Sequence, residues 1–545
     1  MAVPKQARAS SNSAVKNGKE IVEQIRSMES QIAESKTNLN NLAPLLQFCQ
    51  HDNPKVIHAA IHALFRVFSP MVSEGELRVS KKATEGDSKA AVAMWLRENY
   101  KKFTKRLCEL LDSTEPGLQI PALKILLDLV KLESADLSRQ EYNFANALYL
   151  KTVESLLYST NMSEPLMQEF SQKFVGFYDD LRFYFLKNAA FVINVALGQH
   201  PTKNQKAIGK VSQEKLAVLL DNSFGILESL NSMPTDAKEL DEFWAGSPDT
   251  GASKKSNSGE MSQFSDSEDE DMEEAGAASN KSTGKGPLLS LHSHRRAFSD
   301  CWIAVLKLPF TQTMYKKTLL IIHKRIIPHL PRPVVLMDFL TDSYNSGGAI
   351  SLLALKGLFV LITEHNLDYP DFFQKLYLLF DHNLMHAKYR ARFFSQVDIF
   401  LSSPLLPATL VAAFIKRMAR LSLSSPPASI VITVPFIYNL LKRHPTCMQL
   451  IHGSANQTND CYDHSERDPM KCNAFNSSLW ELQTLQNHFA PNVATLAKIF
   501  NEQFTKPSYN LEDFLDHTYS SMFRNELTKK RRGEAAVALE APTGW

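Results

Sequence analysis

The sequence predicts an all-α protein, a HEAT/armadillo-like helical repeat solenoid in two parts joined by a disordered acidic linker. Three observations carry this. Apolar residues recur at spacings of three and four through most of the 545 residues, with little period-two alternation. Residues 246–288 hold almost no large apolar side chains and include the run SDSEDEDMEE from Ser265 to Glu274, so ordering them would not be repaid by burial. In the C-terminal half Pro333, Pro370 and Pro407 each precede an amphipathic run, 37 residues apart both times. That interval is slightly shorter than the two-helix armadillo and HEAT periods of about 40 to 47 residues.

A chain of this length exceeds what one hydrophobic core serves, which calls for two domains or an extended repeat. The net charge of +2 conceals an asymmetry: Ser290 to Leu450 carries 18 Lys and Arg against 8 Asp and Glu. Six scattered cysteines do not make a disulfide framework and fit reduced thiols in a cytosolic or nuclear protein. The opening MAVPKQARASSNSAVKNGKE has no apolar core of the kind a secretory signal needs. The most apolar stretch, Gly347 to Ile362, would attract a membrane assignment by hydropathy. It is shorter than the roughly 20 residues of a span and carries Lys356, so a buried helix is expected.

Taken in order, residues 1–20 read as a disordered basic N-terminus and 21–245 as a helical domain. Its helices are expected over Glu20 to Leu39, from His51 to Phe68 with Asn53-Pro54 as the entrance, over Leu118 to Leu132 and over Leu181 to Leu197. Residues 246–288 are the linker, 289–525 a second helical-repeat domain and 526–545 a disordered basic tail. Second helices of the proline-punctuated units fit at Ala349 to His365 and Lys388 to Leu401. Asp368 and Asp371 suit the helix entrance at Pro370.

The candidate binding residues are basic. Ile399 to Asn459 contains five Lys and Arg and neither Asp nor Glu. Lys416, Arg417 and Arg420 cluster on one helix surface, with Ala412, Phe414, Ile415 and Met418 on the apolar side. Lys388 and Arg392 share a face, Arg390 points elsewhere, and Lys442 and Arg443 complete the set. Such a surface suits an anionic partner, and guanidinium forks serve phosphate and carboxylate equally, so residue type alone does not choose between RNA and an acidic protein. Ser265 and Ser267 each have a glutamate three residues on, the pattern of an acid-directed kinase. Lys529, Lys530, Arg531 and Arg532 form a short cluster of the nuclear-import type.

Other chemistry finds little support. Cys461, His464 and Cys472, with His452 upstream, follow C-x2-H-x7-C, which matches no standard zinc framework. No phosphate-binding loop, dinucleotide fingerprint, metalloprotease helix or nucleophile elbow is present, so no enzyme, cofactor or small-molecule substrate is expected. Trp480, Leu482, Leu485 and Phe489 make an apolar stripe expected to seat the last helices, or to line a partner groove.

Several strings resemble the nucleolar complex proteins related to the CCAAT-binding factor: LKGLFVLITEHNLDYPDFFQKLYLLFD from Leu355, KYRARFF from Lys388, LPATLVAAFIKRMARLSLSSPP from Leu406, FIYNLLKRHP from Phe436 and DPMKCNAFNSSLWELQTLQNHFAPNVATLAKIF from Asp468. Together they fall within roughly residues 290 to 505, in the family's order. Phe475 and Asn476 stand where relatives carry a leucine and an acid. The resemblance implies a nuclear and nucleolar protein of the small-subunit processome, supporting small-subunit rRNA processing in a stable heterodimer with a nucleolar protein. A HEAT-type nuclear transport adaptor is the alternative the fold allows, and a sequence-specific DNA-binding factor is disfavoured because no such motif appears.

Overall fold

A computed structural model of the chain describes residues 6–78, 88–138, 142–199, 212–230, 233–248, 287–346, 348–367, 369, 371–452 and 460–530. Every regular element among them is helical. The expected linker lies outside them from residue 249 to 286, as do Ser265, Ser267, Asp368, Pro370, Arg531 and Arg532. The chain divides into a first unit ending at Pro333 and a second starting at Val334.

In the first unit the Asn53 side chain accepts the Lys55 N–H (3.0 Å) and Pro54 takes the first helical position, starting a helix Pro54–Glu74 that ends on Gly75 at φ 77°. Its apolar face, among it Ile57, Ile61, Leu64 and Phe68, is buried. Among the described residues this is the helix long and apolar enough to cross a membrane; Gly348–His365, singled out by hydropathy, instead buries Leu352, Leu355, Leu358 and Leu361. Gln6–Glu34, Pro54–Glu74, Pro116–Leu137, Asn146–Leu157, Asp179–Ala196 and Leu291–Leu306 then pack each on the next, the one-dimensional stacking of a helical repeat.

Two expectations are corrected here. Residues 6–20, expected to be disordered, belong to the first helix; no proline interrupts them after Pro4. The domain boundary at 289 is misplaced, because Leu291–Leu306 packs on Asp179–Ala196 and buries Phe298, Cys301, Trp302 and Val305 within the first unit. A long polar insertion separates two helices that share a core, so composition marks the insertion and not the domain edge.

His294 in that helix is wholly buried, its Nε2 2.8 Å from the Leu288 carbonyl and its ring 5.0 Å from Phe183. Burial lowers its pKa to about 4; the Leu288 hydrogen bond opposes this, and the Arg182 charge adds to it. The unfolded chain therefore takes up a proton near pH 6.5 that the native state refuses until about pH 4. Stability from this group is fully present at pH 7 and is lost across that window, by up to about 3 kcal/mol. In urea unfolding the stability gap between wild type and His294→Gln should shrink as pH falls from 7 to 4.5. A gap independent of pH would mean that His294 carries no such linkage.

The second unit repeats helix pairs: Met337–Asn345 with Gly348–His365, Phe372–Leu378 followed by Arg390–Phe400, and Ala408–Ser422 with Pro427–Arg443. Pro427–Arg443 is buried from Ala428 to Leu441 on every face, as a central helix must be. Asn439 clamps the later chain by donating to the Tyr509 carbonyl and accepting its N–H, both at 2.8 Å. Tyr438 stacks on Phe504 with centroids 4.8 Å apart.

Candidate functional site

Ala408–Ser422 follows Pro407 and holds no glycine or proline, so the helix runs unbroken until Ser424, Ser425 and Pro426. Ala412, Phe414, Ile415 and Met418 are buried, as their spacing predicts. Lys416 is buried too, at 0% exposure, which overturns its reading as part of an accessible basic ridge. A buried ammonium needs partners. Its Nζ lies 2.7 Å from Glu481 Oε1, 3.0 Å from Asp460 Oδ2 and 2.7 Å from the Ser478 carbonyl. Tyr462 and Trp480 complete the enclosure, their ring centroids 5.8 and 5.6 Å from the same nitrogen.

The neighbouring cations are also engaged. Arg417 donates from Nε to the Phe380 carbonyl (2.7 Å) and lies over the Tyr377 ring at 4.4 Å, while the Tyr377 and Tyr462 hydroxyls meet at 2.9 Å. The Arg420 guanidinium sits 5.0 Å above Trp480, with a nitrogen 3.6 Å from Glu481, and its side chain is 40% exposed. Trp480 donates its indole N–H to Asp460 at 3.0 Å.

The two acids respond oppositely. Burial pushes the Asp460 carboxyl up, but hydrogen bonds from Ser477, Trp480 and Lys416 outweigh it and hold the pKa at about 2. Burial dominates at Glu481, whose carboxyl is raised in spite of Lys416 beside it. Glu481 Oε2 has no hydrogen-bond partner among the described residues. Lys416, Arg420, Asp460 and Glu481 balance as two cations against two carboxylates. The cluster has no reagent chemistry; it ties Ala408–Ser422 to the segment around Trp480.

The other predicted basic residues separate by environment. Arg390 is buried and donates to the His517 carbonyl (3.1 Å), so it is not a surface contact. Lys442 donates to the Lys506 carbonyl, and Arg443 pairs with Asp398 at 2.8 Å. Lys388 and Arg392 are exposed. Lys529 bonds Glu526 (2.8 Å) and Asn492 (3.4 Å). Asp398 and Asp460, which pair with Arg443 and Lys416, stand immediately outside the acid-free window, a signal that the sequence did contain. Of the apolar stripe, Leu482 and Leu485 are buried, whereas Trp480 is partly exposed and Phe489, past the helix end at Leu485, is 83% exposed. Cys461 is exposed and Cys472 buried, and among the described residues no three potential ligands converge on a metal site.

Residues 351–497, which contain the whole cluster, match the CBF/Mak21 family. Residues 15–197 match the model described as nucleolar complex protein 4-like, TPR repeats. The nucleolar complex protein 4 homolog of Homo sapiens is 35% identical over 531 residues, 94% of this chain and 93% of that protein. The chain belongs to the nucleolar complex protein 4 family. The nucleolar complex protein 4 of Saccharomyces cerevisiae is 34% identical over 540 residues, 91% of this chain and 88% of its own. An uncharacterised protein of Schizosaccharomyces pombe is 38% identical over 523 residues, 95% of this chain and 98% of that one. Membership in the nucleolar complex protein 4 family makes this a nuclear, nucleolar protein of ribosome biogenesis. The match over residues 15–197 also assigns family membership to an N-terminal half from which sequence reading drew no resemblance.

Proposed function

We propose that this protein is a non-enzymatic scaffold of the small-subunit processome, which supports small-subunit rRNA processing and assembly of the 40S subunit as a stable heterodimer with another nucleolar protein. The observation that carries the reading is likeness along nearly the whole chain to proteins named nucleolar complex protein 4. Stacked helices give such a protein long surfaces and no reaction centre. Within the second unit, exposed Lys388 and Arg392 are the residues of the original basic set best placed to meet pre-ribosomal RNA or an acidic partner. Ser265 and Ser267 are proposed phosphorylation sites, and Lys529 to Arg532 the import signal.

Depletion of the protein should lower mature small-subunit rRNA and accumulate its precursor, with large-subunit rRNA unchanged, on hybridisation with probes for each. The tagged protein should bring down one stoichiometric protein partner together with precursor rRNA. Equal loss of both subunits' rRNA would refute the assignment to the small subunit. Recovery with transport receptors and without precursor rRNA would instead favour an adaptor.

A further inference from the structure

In the first unit, Lys101, Lys102 and Lys105 are exposed on the helix Ser88–Leu110, and none has its ammonium paired with a carboxylate among the described residues. This is the reverse of Lys416. Beside them is a groove of about 390 Å³ whose lining includes Gln47, Gln50, Asn99, Lys102, Lys105 and Arg106. Arg106 is held at its edge by the Cys49 carbonyl (3.0 Å) and Glu109 (3.1 Å). Positions 95, 102 and 106 recur at helical spacing, so one stripe presents in order an indole, an ammonium and a guanidinium, with Asn99 buried beneath it at 6% exposure. Trp95 is 39% exposed and stands about 10 Å along the axis from Lys102. Asn99 is fastened to the turn before it, donating to the Trp95 carbonyl at 3.0 Å.

We propose that this stripe and groove bind single-stranded RNA, with Lys101, Lys102 and Lys105 on phosphates and Trp95 stacked against a base. Charge complementarity selects a polyanion: the helix carries six Lys and Arg against Glu98 and Glu109. The exposed indole selects nucleic acid over an acidic peptide, because a stacking platform beside unpaired cations is what single-strand binding uses. The exposed amides of Gln47 and Gln50 suit sugars and base edges better than the apolar anchors of a peptide helix. The assignment does not depend on which ribosomal subunit the protein serves, since binding is read on the isolated full chain.

The test is fluorescence anisotropy with a labelled single-stranded RNA of about 12 nucleotides, titrated from about 50 to 200 mM salt. Lys101→Ala/Lys102→Ala/Lys105→Ala should bind at least about tenfold more weakly, with the slope of log affinity against log salt smaller by about 2, at about 0.7 per lost contact. Trp95→Ala should weaken binding by about fivefold or more with the slope unchanged. A control triple of exposed lysines, Lys215→Ala/Lys238→Ala/Lys316→Ala, should keep wild-type affinity. Wild-type affinity and slope in the first triple variant would overturn the site. Equal loss in the control, no effect of Trp95→Ala, or displacement of the RNA by polyglutamate at matched charge would overturn the RNA assignment.

Discussion

Lys416→Met is expected to destabilise the second unit by about 3–5 kcal/mol, the range for breaking a buried ion pair from one side. Methionine fills the space of the lysine stem, so the loss is electrostatic. Glu481, at 0% exposure, would keep a carboxylate with no cation at bonding distance, because Arg420 stands 3.6 Å away and half in solvent. Asp460 would suffer less, since Ser477 and Trp480 still donate to it. The deficit should also depend on pH. With Lys416 gone the Glu481 carboxyl, already raised by burial, rises further. A carboxyl raised in the folded state removes stability as pH climbs from its unfolded value of about 4.3 towards its folded one. The variant should therefore regain stability on acidification from pH 7 to 5. Lys416→Met/Glu481→Leu should return to within about 1 kcal/mol of wild type, since a hydrophobic replacement of a buried pair is often neutral or better. Native-state hydrogen exchange at Ala408–Ser422 reads these changes. A single variant within about 1 kcal/mol of wild type at pH 7 would show that the cluster contributes little. Cellular loss of function from changes at Lys416 is then a folding defect, to be separated from loss of an RNA contact before any binding role is inferred.

Helix placement was legible because helical periodicity is local: Asn53-Pro54 opened its helix and the buried side of Ala408–Ser422 was read correctly. The role of its cations was not legible, because partners 44 and 65 residues downstream, Asp460 and Glu481, decide it. A charge window measures neighbours along the chain, whereas ion pairing depends on neighbours in space. The same blindness hid the boundary after Pro333, and it made the enclosed Lys416 read as a ridge.

Asp180→Ala should release the segment that precedes residue 249. Asp180 is at 0% exposure and accepts the backbone N–H groups of Trp244 (3.0 Å) and Ala245 (2.8 Å), besides that of Leu181 (2.7 Å). Next to it Asp179 donates its N–H to the Glu242 carbonyl (2.8 Å), accepts the Glu242 N–H on its carboxylate (3.4 Å) and pairs with buried Arg182. The Trp244 indole donates to the Leu127 carbonyl at 2.8 Å under Lys131, whose Nζ is 4.8 Å from the ring centre. The strap is thus held by the Asp180 carboxylate, by Asp179 at Glu242 and by one ring. Burial raises the Asp180 carboxyl even though the three N–H groups favour its charged form. Alanine leaves the part-buried N–H groups of Trp244 and Ala245, and the buried one of Leu181, without this acceptor, at about 1–3 kcal/mol each for the two in the strap. A loss of about 2–4 kcal/mol corresponds to exchange at residues 242–246 faster by about 30- to 900-fold. Asparagine cannot rescue fully, because its NH₂ would face one of the two donors. Exchange in Asp180→Ala equal to wild type across 242–246 would show that Trp244, and not the carboxylate, holds the strap; an additional Trp244→Ala change should then free it.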